Sequence, residues 1–252
     1  HPTLFADVAS LGFLRSDDGG GHWTPVALET TNIRSLLSGG AQEPNTLYVL
    51  DTLELRGALD ISLDNGATWS ARPLTAGILA VAAGRPATLY ANGTTSSAVG
   101  PGNDDSLQRS TDRGLTWTTL LHVTGGTLSS IGTDPADPQR VVVSHLQLDA
   151  DSRVTTEILW TADGGTTWHP GDLSPQPAFI GKILPDPLVP HGFLAGTSTG
   201  AFASADGGAT WSPLGIGLPG AFTQLSLDPS SPTTVYAATQ GGGVYRLERK
   251  AP

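Results

Sequence analysis

Apolar positions along this chain come in short runs, each followed by glycine, proline or small polar residues. Six of the runs fall in phase: Thr3-Leu4-Phe5, Thr46-Leu47-Tyr48, Thr88-Leu89-Tyr90, Val141-Val142-Val143, Gly192-Phe193-Leu194 and Thr234-Val235-Tyr236. Runs this short, rich in β-branched and aromatic residues and bounded by turn formers, predict strands. No apolar stretch reaches the roughly 18 residues that a membrane-spanning helix needs, so membrane insertion is not expected.

A second pattern, Ser/Thr-x-Asp-x-Gly-x-Thr-Trp, keeps step with the first. Its five copies are Ser16 to Trp23 (with Asp18 and Gly20), Ser62 to Trp69 (Asp64, Gly66), Ser110 to Trp117 (Asp112, Gly114), Thr161 to Trp168 (Asp163, Gly165) and Ser204 to Trp211 (Asp206, Gly208). Only His22, standing where the others have Thr, departs from it. Successive Trp residues lie 46, 48, 51 and 43 positions apart, the length of one four-stranded propeller blade. A Ser/Thr and an Asp two residues apart can bond the backbone amides of a tight hairpin turn. Gly at the fifth position supplies the positive φ that such a turn needs. Trp then buries a large ring between neighbouring sheets, worth roughly 3–5 kcal/mol against Ala.

Six apolar runs against five octapeptides reveal a sixth repeat, whose octapeptide has decayed to Arg246-Leu247-Glu248-Arg249. Each full repeat reads as four strands. Strand A is a segment such as Gly77 to Ala83 or Phe222 to Asp228, B is the apolar run, C leads into the octapeptide and D leaves it. The expected fold is all-β, a propeller of about six four-stranded blades in a single domain over residues 1–252. The first repeat has no room for A and the last ends before D. Chain outside these residues, or a neighbouring subunit's strand at the exposed edge, would complete them; both remain open, and self-association through the incomplete blades is one expectation.

Composition agrees with that architecture and narrows the partners. Glycine (32) and proline (19) are abundant while 38% of residues are hydrophobic, too apolar for disorder and too punctuated for helices. The net charge is −10, and no cluster of Lys or Arg offers the basic stripe that nucleic acid or an anionic membrane requires. Cysteine is absent, which removes disulfides, thiolate metal sites and a thiol nucleophile. A chain that opens at His1 is expected either to have lost a signal peptide or to have been trimmed.

The octapeptides resemble the Asp boxes (BNR repeats) of sialidases, sortilins, xyloglucanases and photosystem II assembly-factor-like propellers, over essentially the whole chain. The resemblance implies the propeller and leaves the activity open. A sialidase would need an arginine triad and a Tyr/Glu pair. Here the family's early Arg-Ile-Pro signature is missing, and Tyr48, Tyr90, Tyr236 and Tyr245 all read as core. Xyloglucanase-like enzymes set two carboxylates across a cleft between tandem propellers, and a single propeller lacks the second wall. A glycoside hydrolase is therefore the alternative. The first expectation is a non-catalytic, extracellular or periplasmic scaffold that binds protein or glycan, like the assembly-factor-like members.

If the octapeptides are scaffold, function lies in the variable B–C loops. These are short in the first, fifth and sixth repeats and lengthen in three consecutive ones, at Asp51 to Leu59, Asn92 to Leu107 and His145 to Glu157. They are expected to form a raised lip carrying Glu54, Arg56, Asp104, Asp105, Asp149, Asp151, Arg153 and Glu157, either as a binding edge or as drifting solvent-exposed insertions. Neither Asn103-Asp104-Asp105 nor Asp149-Ala150-Asp151 has the spacing of a calcium loop. The six histidines show no metal-ligand spacing. No metal, no cofactor and no catalytic residue is expected.

Overall fold

The computed structural model describes residues 3–8, 11–28, 33–40, 42–51, 58–74, 79–82, 87–93, 104–148, 151–214, 222–228, 230–239 and 242–250. They form six antiparallel meanders of the six-blade β-propeller fold, with no helix among them. The first sheet is β1 (Leu4–Val8), β2 (Gly12–Ser16) and β3 (Thr24–Pro25). The second is β4 (Ile33–Ser38), β5 (Leu47–Asp51), β6 (Ala58–Ser62) and β7 (Ser70–Pro73). The third is β8 (Leu79–Ala82), β9 (Thr88–Asn92), β10 (Asp105–Ser110) and β11 (Thr118–Val123). The fourth is β12 (Gly126–Thr133), β13 (Val141–Leu148), β14 (Val154–Thr161) and β15 (His169–Gly171). The fifth is β16 (Ile180–Asp186), β17 (Gly192–Thr197), β18 (Gly200–Ser204) and β19 (Ser212–Pro213). The sixth is β20 (Phe222–Asp228), β21 (Ser231–Thr239) and β22 (Gly243–Glu248).

The first and sixth sheets have three strands, B–C–D and A–B–C in the lettering above, and the other four have A–B–C–D. By its contacts the chain divides into two compact units, residues 1–93 with 109–118, and residues 94–108 with 119–252.

The six apolar runs are the B strands, and four are buried without alternation. Tyr48, Val49 and Leu50, then Leu89, Tyr90 and Ala91, Val141, Val142 and Val143, and Phe193, Leu194 and Ala195 expose nothing. A strand buried on both faces reads as a continuous apolar run. In the first unit Tyr48, Leu50 and Leu59 pack with Ala87, Leu89 and Ala91. In the second, Val142 and Ile158 pack with Ile183 and Phe193, and Leu194 packs with Leu225 and Val235. Each such side chain contributes about 1.5–3 kcal/mol through burial, so within each unit the interfaces between neighbouring sheets form the core.

Two expectations are corrected. His145 to Glu157 is not a loop: β13 and β14 run on as a hairpin from Val141↔Thr161 to Leu148↔Val154, pairing His145 with Glu157 on the way. The stretch Val154-Thr155-Thr156 is β-branched and pairs readily. Nor are the four tyrosines equally core: Tyr48 and Tyr90 are fully buried, whereas Tyr236 and Tyr245 are half-buried.

Candidate functional site

The octapeptides are built alike, one on each C–D turn. In the fifth, the Ser204 hydroxyl donates to Asp206 Oδ1 (2.9 Å) and accepts the Gly208 N–H (2.9 Å). Asp206 Oδ1 also accepts the Thr210 N–H (2.9 Å), and its Oδ2 accepts the Thr210 hydroxyl (2.7 Å). Trp211 Nε1 donates to the Gly208 carbonyl at 2.9 Å. Ser62, Asp64, Gly66 and Trp69 repeat the pattern, as do Ser110, Asp112, Gly114 and Trp117. Thr161, Asp163 and Gly165 do so too, although Trp168 Nε1 has no partner among the described residues. Ser16, Asp18, Gly20 and Trp23 follow, with His22 Nδ1 at 2.6 Å from Asp18 Oδ2 in place of the Thr hydroxyl.

These donors hold the carboxylates in their charged form. The Thr68 hydroxyl and then its N–H bring Asp64 down to about 2, and Thr116 does the same for Asp112. The His22 N–H and then its ring bring Asp18 to about 2. The Thr167 hydroxyl lowers Asp163 further. For Asp206 burial pulls upward, and the Thr210 and Ser204 donors outweigh it.

The fourth position shares the fifth position's positive φ: Gly19, Asn65, Arg113, Gly164 and Gly207 lie at φ 79, 57, 58, 71 and 79. The fifth-position glycine has a second reason to be there. A Cβ on Gly66 would meet Phe5 at 2.7 Å, one on Gly114 would meet Leu59 at 2.7 Å, and one on Gly208 would meet Val142 at 2.7 Å. Each contact is with the preceding sheet, so the turn is pressed against its neighbour. On Gly20 a Cβ would find nothing nearer than 3.7 Å. The tryptophans follow the same gradient: Trp211 is 8% exposed within the core of the fourth and fifth sheets, Trp69, Trp117 and Trp168 are intermediate, and Trp23 is 39% exposed. The expected burial of every Trp ring is thus reached only in the fifth copy.

Among the described residues, the acids and the arginine of the expected lip have separate surroundings. Glu54, Arg56 and Asp149 lie outside the described residues. Asp104 accepts the Gly125 N–H (3.0 Å). Asp105, 2% exposed, is no lip residue: it accepts the Leu128 and Ser106 N–H groups at 3.0 and 2.7 Å and anchors β10 to β12. Asp151 pairs with Arg153 at the hairpin tip (2.7 Å).

Among the described residues of this set, Glu157 lines a cleft. This hollow of about 230 Å³ lies where β14 begins and β15 ends, at the end of the fourth sheet opposite its octapeptide. Glu157, Asp172 and Gln176 supply its polar lining, and Ile158, Pro170 and Leu173 its apolar wall. Glu157 is aimed from behind by His145, a buried ring whose Nδ1 lies 3.0 Å from Glu157 Oε1. With its proton on Nδ1, the ring leaves only a lone pair on the buried, unpartnered Nε2. His145 fits because residue 126 is glycine, where a Cβ would lie 2.5 Å from Nε2.

Asp172 is set by its backbone, whose N–H donates to the Ala209 carbonyl (2.8 Å) and whose carbonyl accepts the Trp211 N–H (3.0 Å). Its exposed carboxylate has no partner among the described residues. The loop that follows is pinned to β14, since Thr156 Oγ1 donates to the Ala178 carbonyl and its N–H to the Pro177 carbonyl, both at 3.1 Å. Gln176 Nε2 donates to the Thr156 carbonyl at 3.4 Å. Beyond it, Phe179 is 40% exposed.

Sequence reasoning passed over Asp172, Gln176 and the role of His145. Equal spacing from the hairpin tip is the signal that pairs His145 with Glu157. For Asp172 no local signal exists, since only the β14–β15 register, with Ile158 opposite Gly171, brings it to Glu157.

A second hollow, about 420 Å³, opens in the first unit beside Asn45, Leu63 and Arg113. Arg113, at φ 58, donates to the buried Glu43 (2.5 Å), which also accepts the Ala87 N–H (3.2 Å) and the Tyr48 hydroxyl (3.4 Å). Burial and the Glu43 charge push Tyr48 up to about 12. Glu43 thereby ties the second repeat to the third, a link that the octapeptide pattern does not contain. Among the described residues no group of three or more His, Asp or Glu could hold a metal ion, and no helix is long and apolar enough to cross a membrane.

No protein-family model and no curated protein sequence matches the chain. Solved structures are similar in fold. A GH74 enzyme of Niastella koreensis aligns at a TM-score of 0.62 with 16% identity, over 99% of this chain and 47% of that one. The GH74 xyloglucanase of Xanthomonas campestris aligns at 0.61 with 16% identity, over 99% and 49%. The α-L-arabinofuranosidase Arb93A of Fusarium graminearum aligns at 0.56 with 14% identity, over 94% and 84%. The chain spans about half the length of the two GH74 structures. Identities this low establish the fold alone.

Proposed function

We propose that this chain is an exported, non-catalytic binding propeller, that its octapeptides are Asp boxes serving as scaffold, and that a partner is held at the cleft end of the fourth sheet. The observation that carries this reading is the division of labour among the carboxylates. The five octapeptide aspartates are each engaged by donors of their own turn. Asp104, Asp105 and Asp151 likewise bond within the chain. Asp172, unengaged among the described residues as Asp7 of β1 also is, stands beside Glu157 in the cleft and is held there by its backbone. Groups fixed in advance lose little entropy when a ligand arrives, which favours binding.

The test is an incubation with xyloglucan and with arabinan, followed by measurement of released reducing ends. The expected result is no release above buffer. Release that Glu157→Gln or Asp172→Asn abolishes would replace this reading with a glycoside hydrolase, the activity named for the GH74 xyloglucanase and the arabinofuranosidase of similar fold.

A further inference from the structure

Resting on the binding reading above, we propose that the fourth-sheet cleft receives a single lysine or arginine side chain of a protein partner. Size argues first. Pockets for drug-sized ligands run from roughly 300 to 1,000 Å³, and this one holds about 230 Å³. It is matched to one side chain, and a polysaccharide would need an extended groove.

The lining has the two halves that such a side chain needs. Pro170 and Leu173 offer apolar surface for an aliphatic stem, while Glu157 and Asp172 offer carboxylates for the charged head. Among the described residues no lysine or arginine lines the cleft to neutralise them. His145 takes only Oε1 of Glu157, and among the described residues Oε2 has no partner.

The surroundings favour the same partner. The chain carries 23 acidic against 13 basic residues, so its field draws cationic surfaces toward it.

The experiment is a titration followed by amide chemical shifts of Thr156, Gly171 and Leu173 in the full chain. The probes are four: short acetylated, amidated peptides with one lysine, one arginine or one norleucine between leucines, and a xyloglucan heptasaccharide. The lysine and arginine peptides are expected to move these amides and norleucine to leave them unmoved. Asp172→Asn should weaken the cationic peptides about tenfold at low salt, as loss of one partner of a charge-assisted contact does. Glu157→Gln is a second variant that keeps the cleft's shape.

Equal shifts from norleucine, or no shift from either cationic peptide, would overturn the proposal. Shifts from the heptasaccharide alone would overturn the cationic ligand while leaving the binding propeller standing. Shortening of the heptasaccharide during the titration would overturn the binding propeller itself.

Discussion

The two ends of the fourth sheet use the same chemical group in opposite ways. At one end Asp163 accepts the Thr161 and Thr167 hydroxyls and the Thr167 N–H, closing a turn that recurs four more times. At the other end Asp172 is held by its backbone, and its carboxylate faces a cleft with no partner among the described residues. The repeated, most recognisable aspartates are those whose bonding capacity is used within the fold. An aspartate with no motif around it has capacity left for something else. Stability and binding should therefore separate by mutation, and each variant below either widens or closes that gap.

The largest effect is expected at Gly208. Alanine there meets Val142 at 2.7 Å and must hold φ near +98, so urea unfolding should show a loss of about 3 kcal/mol or more, overpacking adding to backbone strain. Gly20→Ala bears only the strain, since nothing lies within 3.7 Å, and should lose about 1–2 kcal/mol. Equal losses would mean that the first and fifth turns are equally pressed against neighbours. Trp211→Ala should cost about 3–5 kcal/mol as a core truncation, and Trp23→Ala well under half of that.

Next comes Ser204→Ala, which removes the acceptor of a buried Gly208 N–H. Leaving that group unsatisfied should cost about 1–3 kcal/mol in the same assay, with the cleft's ligand affinity unchanged. A large affinity loss would show that the two ends of a sheet are not independent.

A pH titration of stability examines the octapeptides collectively. Asp18, Asp64 and Asp112 have folded values near 2 against an ordinary 3.8. Their contribution is complete above the ordinary value and is lost as the pH falls through 3.8 towards 2. The urea midpoint should hold steady down to about pH 5 and then drop steeply as these sites protonate. Replacing Asp64 and Asp112 by Asn should flatten that drop, and an unchanged acid limb would deny those two sites the role.

The smallest effect on stability is expected from Asp172→Asn. An exposed carboxylate without a partner should be replaceable within about 0.5 kcal/mol.

Most of the scaffold could be read in the sequence because it is local. The octapeptide bonds join residues two to four apart, and spacing alone shows them. The fully buried B strands announce themselves as apolar runs, and the three-stranded first and sixth sheets follow from counting segments. The cleft could not be read that way. Its residues come from β14, the end of β15 and the following loop, and only register brings Glu157 to Asp172. The Asp- and Ser-rich stretch around residue 151 looked like a loop, although the β-branched residues after it extend the pairing to Val154. Asp105 looked like a surface acid, and no periodicity could show that it accepts the Leu128 N–H.

The central claim, that the cleft carboxylate serves a ligand while the octapeptide carboxylates serve the fold, is tested most directly by one comparison. The lysine peptide is titrated into the wild-type chain and into Asp172→Asn, following the Gly171 and Leu173 amides. The account predicts saturable shifts in the wild type and about tenfold weaker binding in the variant. Equal affinity in the two proteins would contradict it.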